Sequence, residues 1–162
     1  MDKLTPKETS KGAEEIVLTQ IKQDFITPAN AIFDYVDMVE KVLNDADLTS
    51  EDEIAQIKSS CNNLIEQYEV AFLQNTGINA ETSKKTPEEY SELRHNLRTP
   101  LNAIIGYSEI LMEDYEDDLE ESALEDFQQI INLARETEKA IEIFVDYIRG
   151  ESIDPNNDNA SN

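Results

Sequence analysis

The chain has 162 residues, of which 39% are hydrophobic and 30% are charged, a balance typical of a soluble helical protein. Its formal net charge of −23 argues against binding nucleic acid or an anionic membrane, because both would repel it. The single cysteine excludes an internal disulfide and favours a reducing compartment, so we expect a cytoplasmic protein. No apolar run is long enough to span a membrane, and no spacing predicts a metal site or a tightly bound cofactor.

Four amphipathic segments are predicted in chain order, at about 13–44, 50–75, 87–114 and 119–149. In each, apolar residues recur every seven positions and form a seam along one helix face, which must be buried against other helices. The segments pair into a helical hairpin at 13–75, a polar linker at 76–86, a second hairpin at 87–149 and a disordered tail at 150–162.

Local signals mark the ends of these helices. Thr86, followed by proline and two glutamates, predicts a capping box at the start of the third helix. Ser50 or Thr49 is expected to cap the second helix, and Gly150 to close the fourth. Met38, Met112 and the tyrosines lie on or near the seams, so we expect them in the core.

An internal repeat links the two hairpins. The residues at 97–107 have a degraded copy 72 positions earlier, at 25–35, and six of the eleven are identical. Pro100 and Pro28 are matched, and each should bend its helix because proline cannot donate a backbone hydrogen bond. Each hairpin alone would expose an apolar seam. We therefore predict an all-α fold, an antiparallel four-helix bundle made by two hairpins of one chain, as a pseudo-dimer that is a monomer in solution.

The only histidine, His95, lies two residues before the second copy, and Gln23 holds that place in the first. The segment Leu93-Arg-His-Asn-Leu-Arg-Thr-Pro-Leu-Asn-Ala-Ile-Ile-Gly-Tyr-Ser-Glu-Ile-Leu111 resembles the phosphoacceptor box of sensor histidine kinases, in their dimerisation and histidine-phosphotransfer domain. The resemblance covers 87–149 directly and 13–75 through the repeat, with the first copy degenerate. In that family two identical chains each give one hairpin, so the resemblance implies that this chain supplies both.

The resemblance implies that His95 is the phosphoacceptor, with Asn96, Arg98 and Thr99 beside it. The seam turns His95 away from the core, where an imidazole that is largely neutral at pH 7 can act as a nucleophile. Arg94 and Arg98 could hold phosphate oxygens by charge-assisted hydrogen bonds. By the resemblance, the Thr99 hydroxyl could orient a water that hydrolyses a partner's acyl phosphate. Asn96 replaces a carboxylate of many family members, and an amide can orient the imidazole but cannot take its proton.

The first copy carries a degenerate site of Gln23, Asp24 and Thr27, since glutamine forms no stable phosphoramidate. We expect a histidine phosphotransfer module of two-component signalling, in which His95 exchanges a phosphoryl group with the aspartate of a response-regulator receiver domain. The receiver would bring its own Mg²⁺, and a histidine kinase ATP-binding domain could act in trans. The four glycines are too widely spaced for a nucleotide loop, so we expect no autonomous kinase activity.

Two alternatives remain open on the sequence. One is a non-enzymatic dimerisation or signal-coupling bundle from a larger signalling protein. The other is the dimerisation region of a histidine kinase, separated from its ATP-binding domain.

Overall fold

Each predicted segment forms one α-helix in the computed structural model, which describes residues 6–150. The helices are α1 (Pro6–Asp45), α2 (Glu51–Asn75), α3 (Pro87–Asp114) and α4 (Glu121–Ile148), with a short 3-10 turn at Gly77–Asn79 in the linker. Helix α1 begins at Pro6 rather than near residue 13, so the helix extends past the point where the apolar seam starts. The predicted disordered tail lies, apart from Gly150, outside the described residues.

The helix ends match the local signals in part. Thr86 and Glu89 form the predicted capping box, with Thr86 Oγ1 accepting from the Glu89 amide at 3.2 Å and Glu89 Oε1 accepting from the Thr86 amide at 3.3 Å. Gly150 adopts φ 84° and its amide donates to the Tyr147 carbonyl at the end of α4. Ser50 occupies the N-cap position of α2, but its side chain makes no capping hydrogen bond. Three acidic residues in the first turn of α2 face the positive end of that helix instead.

The four helices form an antiparallel bundle, as predicted. Helix α1 packs against α4 and α2, and helix α3 packs against α2 and α4, so α1 and α3 stand at diagonally opposite corners. Both hairpin turns lie at the same end of the bundle, where the Tyr115 hydroxyl donates to the Thr49 carbonyl. The most extensive contacts, α1 with α4 and α2 with α3, join one hairpin to the other. Each hairpin therefore covers the apolar seam of its partner.

The core contains a cluster of aromatic rings from three helices. The rings of Phe25 and Tyr68, both in the first hairpin, stack with centroids 3.6 Å apart and an interplanar angle of 4°. The ring of Phe144, in the second hairpin, has its centroid 4.9 Å from that of Tyr68. The Tyr68 hydroxyl donates to the Ile21 carbonyl at 3.5 Å, which satisfies its polar atom inside the core. Burial of apolar side chains, these rings among them, is the dominant favourable contribution to folding.

One expected core residue is exposed. Met38 has 49% of its surface in water, so its predicted burial was wrong. It precedes the seam residue Val39 by one position, which places it about 100° around the helix from the core. Met112 is half-buried and packs against the core, as expected.

The buried thiol of Cys61 gives a pH-dependent test of this core. Burial raises the pKa of the Cys61 thiol from 9.0 to about 12, so the folded state holds this proton more tightly than the unfolded state. The free energy of unfolding should therefore be unaffected by Cys61 below pH 9 and fall above it, by at most about 1.4 kcal/mol per pH unit. Burial raises the pKa of the Tyr68 phenol as well, which adds a loss at higher pH.

The measurement is urea unfolding of the wild type and Cys61→Ala between pH 8 and 11. Alanine is the residue at the matched position of α4, Ala134, so the control variant keeps a small apolar side chain. The two stability curves should run parallel up to pH 9 and then converge. Curves that stay parallel to pH 11 would show that the thiol is not buried.

Candidate functional site

His95 lies on the outer face of α3. Its neighbour Leu97 is 1% exposed and Leu93 is half-buried, whereas His95 itself is exposed. Two residues turn an α-helix by about 200°, so the seam that buries Leu97 directs the imidazole away from the core. The expected exposure of the histidine is therefore confirmed. An imidazole in this position is accessible to a reagent or to a partner protein.

The next turn of α3 holds Thr99 and Pro100. The Thr99 hydroxyl donates to the His95 carbonyl at 2.9 Å, so any water that Thr99 holds in this state would be bound through its oxygen lone pairs. Pro100 is buried and has no amide hydrogen to donate to the Asn96 carbonyl. Helix α3 nevertheless continues through Pro100, and α1 continues through Pro28, so both prolines lie inside single helices.

Asn96 is exposed and borders a polar groove between α2 and α3. Its neighbours Thr99 and Pro100 line the same groove, and across from them lie the hydroxyl and amide side chains of three residues of α2: Ser60, Asn63 and Gln67. The groove offers hydrogen-bond donors and acceptors, and a neighbouring groove that Asn96 also lines contains Glu66. The amide of Asn96 can orient a bound group but cannot take a proton from it.

The two arginines that flank His95 are held by carboxylates of α4. Arg94 Nε lies 2.9 Å from one oxygen of Glu142, and Arg94 Nη2 lies 3.4 Å from Asp146. Arg98 Nη2 lies 2.8 Å from the other oxygen of Glu142 and 3.5 Å from Glu138. We call these five side chains the arginine–carboxylate network. It joins α3 to α4. Within it, Arg94 Nη2 donates a hydrogen bond to Asp146 and Arg98 Nη2 donates one to Glu138, whereas the contacts with Glu142 are ion pairs without hydrogen-bond geometry.

Sequence reasoning identified Arg94 and Arg98 but missed their carboxylate partners. Glu138, Glu142 and Asp146 succeed one another at four-residue spacing, which places them on one face of α4 beside its seam. That spacing was a usable signal. The sequence alone did not show which face of α3 would meet them, since the partners are 40 and 52 residues apart along the chain.

The degenerate half presents a different surface at the matched positions. Gln23, Asp24 and Thr27 are exposed and Pro28 is buried, which repeats the exposure of their counterparts on α3. Gln20 donates to Asp24 at 2.7 Å, so this carboxylate is engaged along its own helix.

Ile26 stands where α3 has Arg98, and no arginine–carboxylate network is present among the described residues of this half. Since α1 and α3 are diagonal, the two sites face opposite sides of the bundle.

Comparison with known protein families gives a match that covers the second hairpin. Residues 88–153 match the family described as His Kinase A (phospho-acceptor) domain. The matched region contains His95 and the whole arginine–carboxylate network. It supports a histidine kinase phosphoacceptor and dimerisation module of two-component signalling in this half of the chain. Domains of this family interact with receiver domains and with kinase ATP-binding domains. No curated protein and no solved structure gives a significant match to the chain.

No helix among residues 6–150 is both long and apolar enough to cross a lipid bilayer.

The arginine–carboxylate network should contribute little to stability. Its side chains are partly exposed, 23% for Arg94 and 32% for Glu142, and ion pairs at such positions typically contribute about 0.2–1 kcal/mol. A double-mutant cycle of Arg94→Met and Glu142→Gln should therefore give a coupling free energy below about 1 kcal/mol, decreasing as salt screens the charges.

Urea unfolding of the four proteins at low and high salt measures this coupling. A matched control is the Lys58–Glu40 pair between α1 and α2, whose atoms are 2.8 Å apart at similar exposure. It should give a coupling of the same size. A coupling free energy near 3 kcal/mol for the Arg94–Glu142 pair, with a small value for the control pair, would instead show that the network stabilises the fold.

Proposed function

We propose that this protein is a histidine phosphotransfer module of two-component signalling, in which His95 accepts a phosphoryl group and passes it on. The observation that carries the proposal is an exposed imidazole beside two arginines, in a hairpin that matches the phosphoacceptor family. The module acts in the cytoplasm, where the single cysteine stays reduced.

The reaction proceeds by in-line transfer at phosphorus. A nitrogen lone pair of His95 forms the P–N bond while the P–O bond to the donor breaks, and the donor oxygen leaves as an aspartate carboxylate or as ADP. The phosphorylated imidazolium then loses its one N–H proton, which lies on the other ring nitrogen, to solvent. Transfer onward reverses these steps at a receiver aspartate, which brings its own Mg²⁺. The ATP-derived route requires a histidine kinase ATP-binding domain acting in trans, because the described residues are entirely helical and turn.

The first hairpin is, on this proposal, a degenerate tandem copy of the second. Six of eleven residues are identical between 25–35 and 97–107, and the degree of burial agrees at every position except Asp34 and Gly106. A single chain then replaces the dimer of the family, and one phosphoacceptor replaces two. The protein is therefore a monomer that engages one receiver at a time.

One observation favours the alternative of a non-enzymatic signal-coupling bundle. Both arginines beside His95 are paired with carboxylates of α4, and Asn96 offers no base. In that case the second hairpin keeps the architecture of the phosphoacceptor domain without its chemistry. The two functions differ in whether His95 takes up phosphate at all.

Labelling with phosphorylated receiver domains decides between them. We expect the wild type to take up an acid-labile phosphoryl group from at least one receiver, and His95→Gln to lose that label completely. The substitution places in the second hairpin the residue that the first carries naturally at Gln23, so the bundle should be unaffected.

A second variant tests the degenerate half. Gln23→His in the His95→Gln background restores an exposed histidine on α1, next to Lys22 but with Ile26 in the place of Arg98. We expect labelling to remain at least about tenfold below the wild type, because a lost charge-assisted contact costs roughly 1.5–3 kcal/mol. No label with any receiver or kinase domain, or full labelling of His95→Gln, would contradict the proposed function.

A further inference from the structure

The carboxylate of Glu142 contacts both arginines, one through each oxygen, so one arginine can move away while the other contact remains. One oxygen of Glu142 lies 2.9 Å from Arg94 Nε and the other lies 2.8 Å from Arg98 Nη2. If Arg98 moved away, Glu142 would keep its contact with Arg94. The carboxylate would therefore keep one partner. Breaking a partly buried ion pair usually costs free energy because one charge is left unpaired, and that cost is avoided here.

Arg98 is also the arginine that can reach the histidine. Residues three apart on a helix are neighbours on its surface, whereas adjacent residues point about 100° apart. Arg98 comes three positions after His95, and Arg94 precedes it by one. A phosphoryl group carries close to two negative charges and three acceptor oxygens, so it is a stronger partner for a guanidinium than a shared carboxylate.

The first hairpin provides an internal comparison. At the positions matched to Arg98, Glu138 and Asp146 it has Ile26, Ile65 and Leu73, whereas Lys22, matched to Arg94, and Glu69, matched to Glu142, keep their charges. The Lys22 ammonium lies 5.5 Å from the centroid of the Phe72 ring. The half without a histidine thus also lacks the network. The first hairpin joins its helices through Lys58, which pairs with Asp37 and Glu40, 14 and 17 residues along α1 from Gln23. Of the two hairpins, the second therefore places its interhelical ion pairs beside the phosphoacceptor position.

We propose that Glu142 is a positioning residue that, together with Glu138, holds Arg98 until His95 is phosphorylated. Phosphorylation then draws Arg98 from both carboxylates to the phosphoryl group, while Arg94 stays on Glu142. This inference rests on the proposed function, since it concerns the state in which His95 is phosphorylated. Glu142 competes with the phosphoryl group for Arg98 and so sets how stable the phosphorylated histidine is. Removing the charge of Glu142 should then stabilise phosphorylated His95.

Phosphoramidate allows a test that needs no protein partner. A nitrogen of His95 forms a new P–N bond as the P–N bond of phosphoramidate breaks, and the departing ammonia takes the proton that the imidazole releases. The equilibrium constant is obtained from the phosphorylated fraction at known ratios of phosphoramidate to ammonium, measured by ³¹P NMR. We expect Glu142→Gln to raise this constant about two- to fivefold, the effect of one released surface ion pair. The matched control, Glu69→Gln in the first hairpin, should leave it unchanged.

A spectroscopic signature separates repositioning from a merely structural effect. In protein labelled at arginine, phosphorylation should shift the guanidinium resonances of Arg98 and leave those of Arg94 nearly in place.

Glu138→Gln, which removes the second carboxylate near Arg98, should also raise the equilibrium constant, and it keeps the inference testable if Glu142→Gln fails to fold. Equal constants in the wild type and both α4 variants, unmoved Arg98 resonances, or no labelling of His95 by phosphoramidate would each overturn the inference. If phosphoramidate labels His95 but phosphorylated receivers do not, the result would count against the proposed function. It would not contradict the movement of Arg98 to phosphorylated His95.

Discussion

The structure depends on the burial of two apolar seams against each other. Tyr68 shows this most clearly, because its ring lies between Phe25 of its own hairpin and Phe144 of the other. A hairpin alone would leave these rings in water at a cost of about 1.5–3 kcal/mol for each large side chain. Their burial fixes the rotation of α1, α2 and α4 about their axes, and the buried residues Leu97, Leu101 and Ile104 fix that of α3. The outward direction of His95 is a consequence of this packing, since Leu97 must point inward.

The charge of the chain gives the arginines beside His95 a particular importance. A phosphoryl group placed on a protein with a net charge of −23 is repelled by most of its surroundings. Only local positive charge can offset this repulsion, and Arg98 supplies it one turn from the imidazole. On the proposed function, carboxylates of α4 hold Arg98 until phosphate is present. We expect the network itself to contribute little to stability.

The sequence predicted the parts of this architecture that depend on short-range patterns. Helix α3 begins and ends at the predicted residues, because Thr86 and Pro87 mark its start and the seam persists to its end. The exposure of His95 was also predictable, from its position between two seam residues. The extension of α1 to Pro6 was missed, since the periodicity begins later. The pairing of Arg98 with Glu142 and Glu138 was missed as well, because it depends on which faces of two helices meet.

The central claim is that both hairpins of one chain bury each other, and the contact between Tyr68 and Phe144 tests it directly. The measurement is an isotope-filtered NOESY experiment on a refolded equimolar mixture of ¹³C-labelled and unlabelled protein, compared with fully labelled protein. The account predicts a strong cross-peak between the two rings in the fully labelled sample and none between labelled and unlabelled chains. A cross-peak between chains in the mixture would show that the hairpins pack across a dimer, and would contradict the single-chain bundle.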